Sequence, residues 1–316
     1  MNAPHPGLAS TVRRARFEQA DERTRIAAFL ATQPDASPFH STDWLAAVER
    51  ATGHEAHALL CEERGEIVGF LPLHAVRSAL FGHALVSTGF AVGGGILAGT
   101  PRVAERLAAA AEELAGRLAC PTIELRGGVL PRRRDWDEIT GAHAGFSAPL
   151  AVDDEAQLLA IPRKQRAEVR KGLANGLEFR VGRDARDRAE HHAVYSESVR
   201  NLGTPVFPRA LFEAVLDGFG DAADILTVRR DGAPLASVLS LYHRGAVMPY
   251  WGGGTSEARA ARANDVMYYA LMNHARERGC SRFDFGRSKV GSGAWHFKRN
   301  WGFVPQPLVY ARWTAS

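Results

Sequence analysis

Apolar and polar positions along this chain follow two periods in turn, and the same succession occurs twice. CEERGEIVGFLPLH (61–74) and VRRDGAPLASVLSLYH (228–243) each set a charged, glycine-bearing turn before a strongly apolar run. That is the pattern of a β-hairpin. Each leads to a glycine-rich strand end, GFAVGGGIL (89–97) and PYWGGGT (249–255). A helical period follows. Val103, Leu107, Ala110, Leu114 and Leu118 mark one face of 101–119, and Val266, Met267, Ala270, Leu271 and His274 one face of 264–278. Asn264 and Asp265 suit the start of the second helix.

Each helix is followed by a small residue, a cysteine and a short strand reading apolar–acid–apolar. LACPTIELRGG (118–128) and RGCSRFDFGRS (278–288) stand 160 residues apart. Chance alternation in any α/β chain accounts for part of the likeness, but not for the matched cysteine and acid. Each half therefore reads strand–strand–strand–helix–strand, and we expect an α/β (α+β) protein of two tandem lobes. Each lobe would be a mixed, mostly antiparallel sheet flanked by helices. The expected lobes are 1–152 and 153–316, joined near DDEAQLLAIP (153–162).

The totals fit this picture. In 316 residues, 46% are hydrophobic and 23% charged, enough to bury a sizeable core. Net charge is 39 − 35 = +4, which suits phosphorylated or carboxylated substrates and is too small to mark a nucleic-acid binder. The three cysteines have no metal or disulfide spacing, and the histidines, His191-His192 included, show no metal pattern. There is no apolar leader and no run of eighteen apolar residues, so a cytoplasmic protein without a transmembrane segment is expected. A transient contact with the membrane surface is compatible with that.

The order of hairpin, glycine-bearing strand, helix and strand resembles the GNAT acyltransferase fold. The resemblance implies that the strands before and after the helix splay apart and admit an acyl donor. Many such enzymes end in Y-x-x-x-G-F, whose tyrosine protonates the leaving group. Here Lys298-Arg299-Asn300-Trp301-Gly302-Phe303 occupies that frame, with a lysine in the tyrosine's place. A doubled fold with Asp284-Phe285-Gly286, and with Phe297-Lys298 through Gly302-Phe303, is similar to the FemABX family. Those enzymes add amino acids from aminoacyl-tRNA to peptidoglycan precursors in the cytoplasm. IPRKQRAEVRKGLANGL (161–177) resembles the basic helix that opens the family's second lobe. NLGTPVFPRALF (201–212) and FDFGRSKVGSGAWHFK resemble a FemAB-like subgroup associated with exosortase and exopolysaccharide loci. The likeness covers most of the chain from about Ser37 onward.

Two departures bear on the donor. No coiled-coil heptads mark the helical arm of tRNA-dependent members. Arg259-Ala260-Ala261-Arg262-Ala263-Asn264 also lacks both glycines of the Q/R-x-x-G-x-G/A segment that cradles pyrophosphate in CoA-dependent relatives. A helix N-terminus still offers amides to an anion, so Arg259, Arg262 and Asn264 are the donor-binding candidates.

Acyl transfer to an amine needs a deprotonated amine, a stabilised oxyanion and help for the leaving atom. Lys298 is the first catalytic candidate; its ammonium, among Trp295, Phe297 and Trp301, would be desolvated and its pKa lowered. The alternative is a lysine whose stem lies on aromatic surface with its head in water. Asp284 is a second catalytic candidate, or a structural acid at a strand end like Glu124. Arg163, Arg166 and Arg170 share one helical face and either grip an anionic substrate or form a solvated basic stripe. Arg287 and Lys289 could hold the same anion from a glycine-rich loop. Tyr250 and Trp251 either contact substrate or belong to the core. The expected activity is an aminoacyl or acyl N-transfer to a phosphate-linked sugar or lipid-linked acceptor of the cell envelope or of an exopolysaccharide. No tightly bound cofactor is expected, and the donor would be aminoacyl-tRNA, acyl-CoA or an acyl-carrier protein. Two alternatives stay open: a transferase confined to acyl-CoA or acyl-carrier donors, and a non-catalytic ligand-binding module.

Overall fold

A computed structural model describes residues 10–78 and 82–315. The chain forms two compact units, residues 1–140 with 309–316, and residues 141–308. The first contains β1 (Thr11–Arg14), α1 (Ala20–Thr32), α2 (Thr42–Thr52), β2 (Glu55–Glu63), β3 (Glu66–Ser78), β4 (Gly82–Ser87), β5 (Leu97–Ala98), α3 (Pro101–Arg117) and β6 (Thr122–Arg126). β7 (Trp136–Pro149) leads out of it. The second contains α4 (Asp154–Ala160), α5 (Arg163–Leu173), β8 (Glu178–Gly182), α6 (Ala185–Asn201), α7 (Arg209–Phe219), β9 (Ala223–Arg230), β10 (Ala233–His243), β11 (Ala246–Gly254), α8 (Ala258–Ala261), α9 (Ala263–Glu277), β12 (Arg282–Lys289) and α10 (Gly293–Asn300). β13 (Pro305–Thr314) ends the chain's regular structure.

Within each unit the pairing scheme is the same. In the first, β1, β2, β3 and β4 form an antiparallel run, β6 joins β4 in parallel, and residues 310–314 of β13 join β6 antiparallel. In the second, β8, β9, β10 and β11 form the run, β12 joins β11 in parallel, and residues 143–149 of β7 join β12 antiparallel. The mixed sheets with flanking helices are the architecture expected from the alternation. The sixth strand of each sheet comes from the far side of the sequence boundary. A division into 1–152 and 153–316 assigns residues 141–152 and 309–316 to the opposite units, because it follows chain order rather than strand pairing.

The repeated small residue and cysteine have a local cause. Ala119 and Gly279 take left-handed backbone angles, φ 53° and 82°, as α3 and α9 end. The next amides, of Cys120 and Cys280, then donate back to Ala115 O and Ala275 O, both at 2.9 Å. Gly279 enters that region without a Cβ penalty and Ala119 with one, and in both cases the turn drives the cysteine into the core. The apolar faces pack as their period predicts. α3 buries Val103, Leu107 and Leu114, and α9 buries Val266, Met267, Ala270 and Leu271. His274 of the expected α9 face stays half-buried and bonds Asp224 instead. Among the described residues no helix is long and apolar enough to cross a membrane.

Candidate active site

The two parallel pairs differ where a ligand would enter. β4 and β6 stay in register through Leu85↔Ile123, Val86↔Glu124 and Ser87↔Leu125. Arg126 N then donates to Ser87 Oγ at 3.0 Å, which seals the end of that pair. β11 and β12 pair only at Ala246↔Arg282 and Val247↔Phe283. Past Val247 they separate, and a cavity of about 810 Å³ lies beyond, at the end of β11. Gly253 and Gly254 form its β11 wall, with Gln165 and Glu168 of α5, Ser198 of α6, Arg259, Arg262, Asn264, Asp265 and Tyr268 around the start of α9, and Gly293, Ala294 and Phe297 of α10. The glycines are required there. A Cβ on Gly253 would lie 2.2 Å from Ser198 Oγ, and one on Gly254 2.6 Å from Ala258 Cβ.

The three donor-binding candidates, Arg259, Arg262 and Asn264, all line this cavity. Arg262 caps α9 with φ 62°. Its Nε binds Glu168, its Nη1 donates to Arg259 O at 2.6 Å, and Lys171 Nζ holds the other Glu168 oxygen at 2.8 Å. Lys171 and Arg262 together keep the Glu168 carboxyl below its ordinary range. Asp265, pushed up by burial, accepts from Gln165 Nε2 at 2.6 Å. The helix start thus presents two carboxyl groups beside a guanidinium that is already neutralised. Asn264 Oδ1 is buried with no hydrogen-bond donor, so an acceptor is held ready for an N–H or O–H group.

Lys298 sits on α10, whose start is capped by Ser292 Oγ accepting from Trp295 N at 3.2 Å. It is 9% exposed. It does not itself line the cavity, although Ala294, one turn before it, and its neighbour Phe297 do. Its Nζ donates to Arg287 O at 3.0 Å and lies 5.4 and 5.5 Å from the ring centres of Phe285 and Phe146. The expected environment of Trp295, Phe297 and Trp301 is therefore corrected, and so is a head group in water. Burial is the main cause of a pKa lowered to about 8, with Asp284 opposing and Arg287 assisting. An ammonium has three protons, and a single carbonyl takes one.

Asp284 and Glu124 occupy equivalent strand positions and are tuned in opposite directions. Burial pushes Glu124 up, but Arg126 and Arg312 bind it and hold it below its usual range. Burial raises Asp284, against Gly286 N at 2.9 Å and the charges of Arg282 and Lys298. The backbone here is a bulge: Asp284 pairs Ser147 and Gly286 pairs Phe146, leaving Phe285 as the extra residue. Gly286 takes φ 68°, a cheap angle only for glycine. The first unit thus consumes its acid in ion pairs, while the second leaves a raised carboxyl in the field of a depressed ammonium.

Other candidates fall elsewhere. Arg163, Arg166 and Arg170 face outward from α5, whose buried side is Gln165, Val169 and Gly172, so they do not line the cavity. Trp251 is a core residue, 4.8 Å from Phe212 and 4.9 Å from Tyr250 by ring centres. Tyr250 is half-buried at a bulge of the β10–β11 pairing, Arg287 supplies its carbonyl to Lys298, and Lys289 is exposed. None of these four is a lining residue. Gln165, Glu168, Ser198 and Tyr268 line the cavity without being marked by any motif in the sequence. Tyr268 follows Asn264 by one helical turn, so spacing alone could have found it. Burial pushes its phenol up to about 12, which keeps it a hydrogen-bond donor.

Residues 163–299 match a family described as acetyltransferase (GNAT) domain, a stretch lying wholly inside the second unit. A search of curated proteins by sequence finds no significant match. Among solved structures, FemX is similar with a TM-score of 0.68 at 15% identity, covering 91% of this chain and 95% of that one. A tandem GNAT protein from the clavulanic acid biosynthesis pathway gives 0.63 at 15%, covering 97% and 99%. L-PGS from Bacillus licheniformis gives 0.56 at 14%, covering 92% and 91%. At such identities the structural likenesses speak for the fold, while the family match speaks for the second unit. Residues 163–299 thus match an acetyltransferase (GNAT) domain, and the chain as a whole shares the fold of FemX and of the tandem GNAT protein.

Proposed function

We propose that the second unit transfers an aminoacyl group to an amine of a phosphate-linked cell-envelope or exopolysaccharide precursor. The observation that carries the transfer is a cation buried beside an open cavity and carrying a pKa of about 8. In the step itself the amine nitrogen attacks the donor carbonyl, a C–N bond forms and the ester C–O bond breaks. The amine's proton leaves to solvent or to Asp284, and the departing oxygen needs one in return. Lys298 supplies positive charge, and a proton, in a medium where both act strongly. Tyr268, protonated and facing the cavity, is a second donor.

An ester donor is favoured over a CoA thioester by the start of α9. A pyrophosphate there meets the Glu168 carboxylate, held below its ordinary range, with the Asp265 carboxyl beside it, and Arg262 is already paired. Its acceptor class is supported by the likeness to FemX and L-PGS in fold. A thioester donor is the second reading, favoured by the likeness to the tandem GNAT protein. Thermal melts with an aminoacyl-tRNA and with acetyl-CoA separate the two. We expect the first, at a hundred times its Kd, to raise Tm by several degrees, since ligation then adds about 2.7 kcal/mol. Stabilisation by acetyl-CoA alone would install the second reading. Stabilisation by neither, with no transfer to any amine, would leave a binding module.

A further inference from the structure

The outer face of α5 is unused by the cavity and has an unusual make-up. RKQRAEVRKGL holds five cations and one acid, Glu168, which is occupied by Lys171 and Arg262. Arg163, Arg166 and Arg170 point away from the core on one stripe, and among the described residues no acidic side chain pairs with them. Large apolar chains stand exposed on and beside this stripe. Leu173 closes it at 48% exposure, and Leu159, whose carbonyl accepts from Arg166 Nη1 at 2.9 Å, is 54% exposed. Phe179 of β8, 56% exposed, shares a recess with Leu173.

We propose that this face docks on the surface of an anionic lipid bilayer. Unneutralised guanidinium groups fit any polyanion, but exposed leucines and a phenylalanine among them do not. A nucleic-acid backbone neutralises the charge and leaves the apolar chains in water. A bilayer interface satisfies both, with guanidinium groups at the headgroups and Leu159, Leu173 and Phe179 at the acyl boundary. The opposite side of α5 contributes Gln165 and Glu168 to the cavity. Docking would therefore hold that cavity about one helix diameter, roughly 10 Å, from the headgroups.

Lipid binding is measured without substrate, so its outcome is independent of whether the transfer chemistry is right. The full chain is sedimented with vesicles of phosphatidylcholine alone and with 30% phosphatidylglycerol, and separately mixed with bulk tRNA in a mobility-shift titration. Expected are binding to the anionic vesicles and not to the neutral ones. The triple variant Arg163→Ala/Arg166→Ala/Arg170→Ala should weaken it about a hundredfold, and Leu173→Ser/Phe179→Ser about tenfold. All five positions are solvent-facing or half-exposed, and a melting curve unchanged within a few degrees verifies the fold. Vesicle binding that survives the triple variant overturns the proposal. So does tRNA binding lost in the triple variant with no vesicle binding by the parent, which would make the stripe an RNA face.

Discussion

Replacing Lys298 by methionine is expected to lower kcat for acyl transfer by at least about 10²-fold while leaving the protein more stable at neutral pH. The first half follows from position. Nζ is a cation buried beside the cavity, and under the proposed chemistry deleting one preorganised donor at a developing oxyanion typically costs about 10² to 10³ in rate. The second half follows from linkage. Folding lowers the Lys298 pKa from 10.5 to about 8, chiefly by burial. A charge held at that disadvantage costs the folded state on the order of 3 kcal/mol. The cost is fully present below about pH 8, where both states are protonated. It is relieved as pH rises from 8 towards 10.5, where the unfolded chain binds the proton that the folded one has released. Methionine has no such cost, and losing the bond to Arg287 O gives back about 1 kcal/mol. A net gain of roughly 1–2 kcal/mol should appear as a higher Tm at pH 7 that fades by pH 10. The parent's rate should also fall above about pH 8 as Lys298 loses its proton. A Lys298→Met protein that retains turnover, or that melts earlier at pH 7, would dismiss the lysine as a strained catalytic cation.

The duplication was legible because its marks are local. The helix-ending residues Ala119 and Gly279, the cysteines after them and the apolar helical faces depend on neighbours within a turn or two. β1 and β8 were not legible, since TVRR and EFRVG are short, charged edge strands with little burial to impose a period. Nor was the exchange of β7 and β13, which rests on pairings between residues about 140 and 190 positions apart, such as Asp284↔Ser147 and Arg312↔Glu124. The site divides in the same way. Arg259, Arg262 and Asn264 lie at a helix start that the sequence marks plainly, and they line the cavity. Lys298 was singled out, but its surroundings depend on Phe146 of a distant strand and on a bulge at Phe285, neither of which spacing reveals. Which of the two readings of the α5 arginines applies is not legible in their spacing, because a shared face does not say which way it points. The buried side is chosen by Val169 and by Gly172, where a Cβ would come within 2.6 Å of Val266.

The second large effect concerns the cavity wall and is expected from Gly253→Ala. Gly253 does not use a glycine-only backbone angle, so the whole cost is steric. The added methyl would stand 2.2 Å from Ser198 Oγ and 2.5 Å from Ser198 Cβ. The hydroxyl can rotate away, but Ser198 Cβ is fixed to α6, so the helix and the end of β11 must be forced apart. Overpacking of this kind costs about 1–3 kcal/mol, and both residues line the cavity, so donor binding should weaken about tenfold with a smaller change in kcat. Ser198→Gly alone should cost about 1 kcal/mol, as glycine does within a helix. Combined with Gly253→Ala it removes the obstructing atoms, and the double variant should be more stable than the two single losses added together by about 1–2 kcal/mol. Denaturant unfolding of the four proteins yields that coupling directly. Additive losses, or a Gly253→Ala protein as stable as the parent, would mean that α6 and β11 do not meet at this wall.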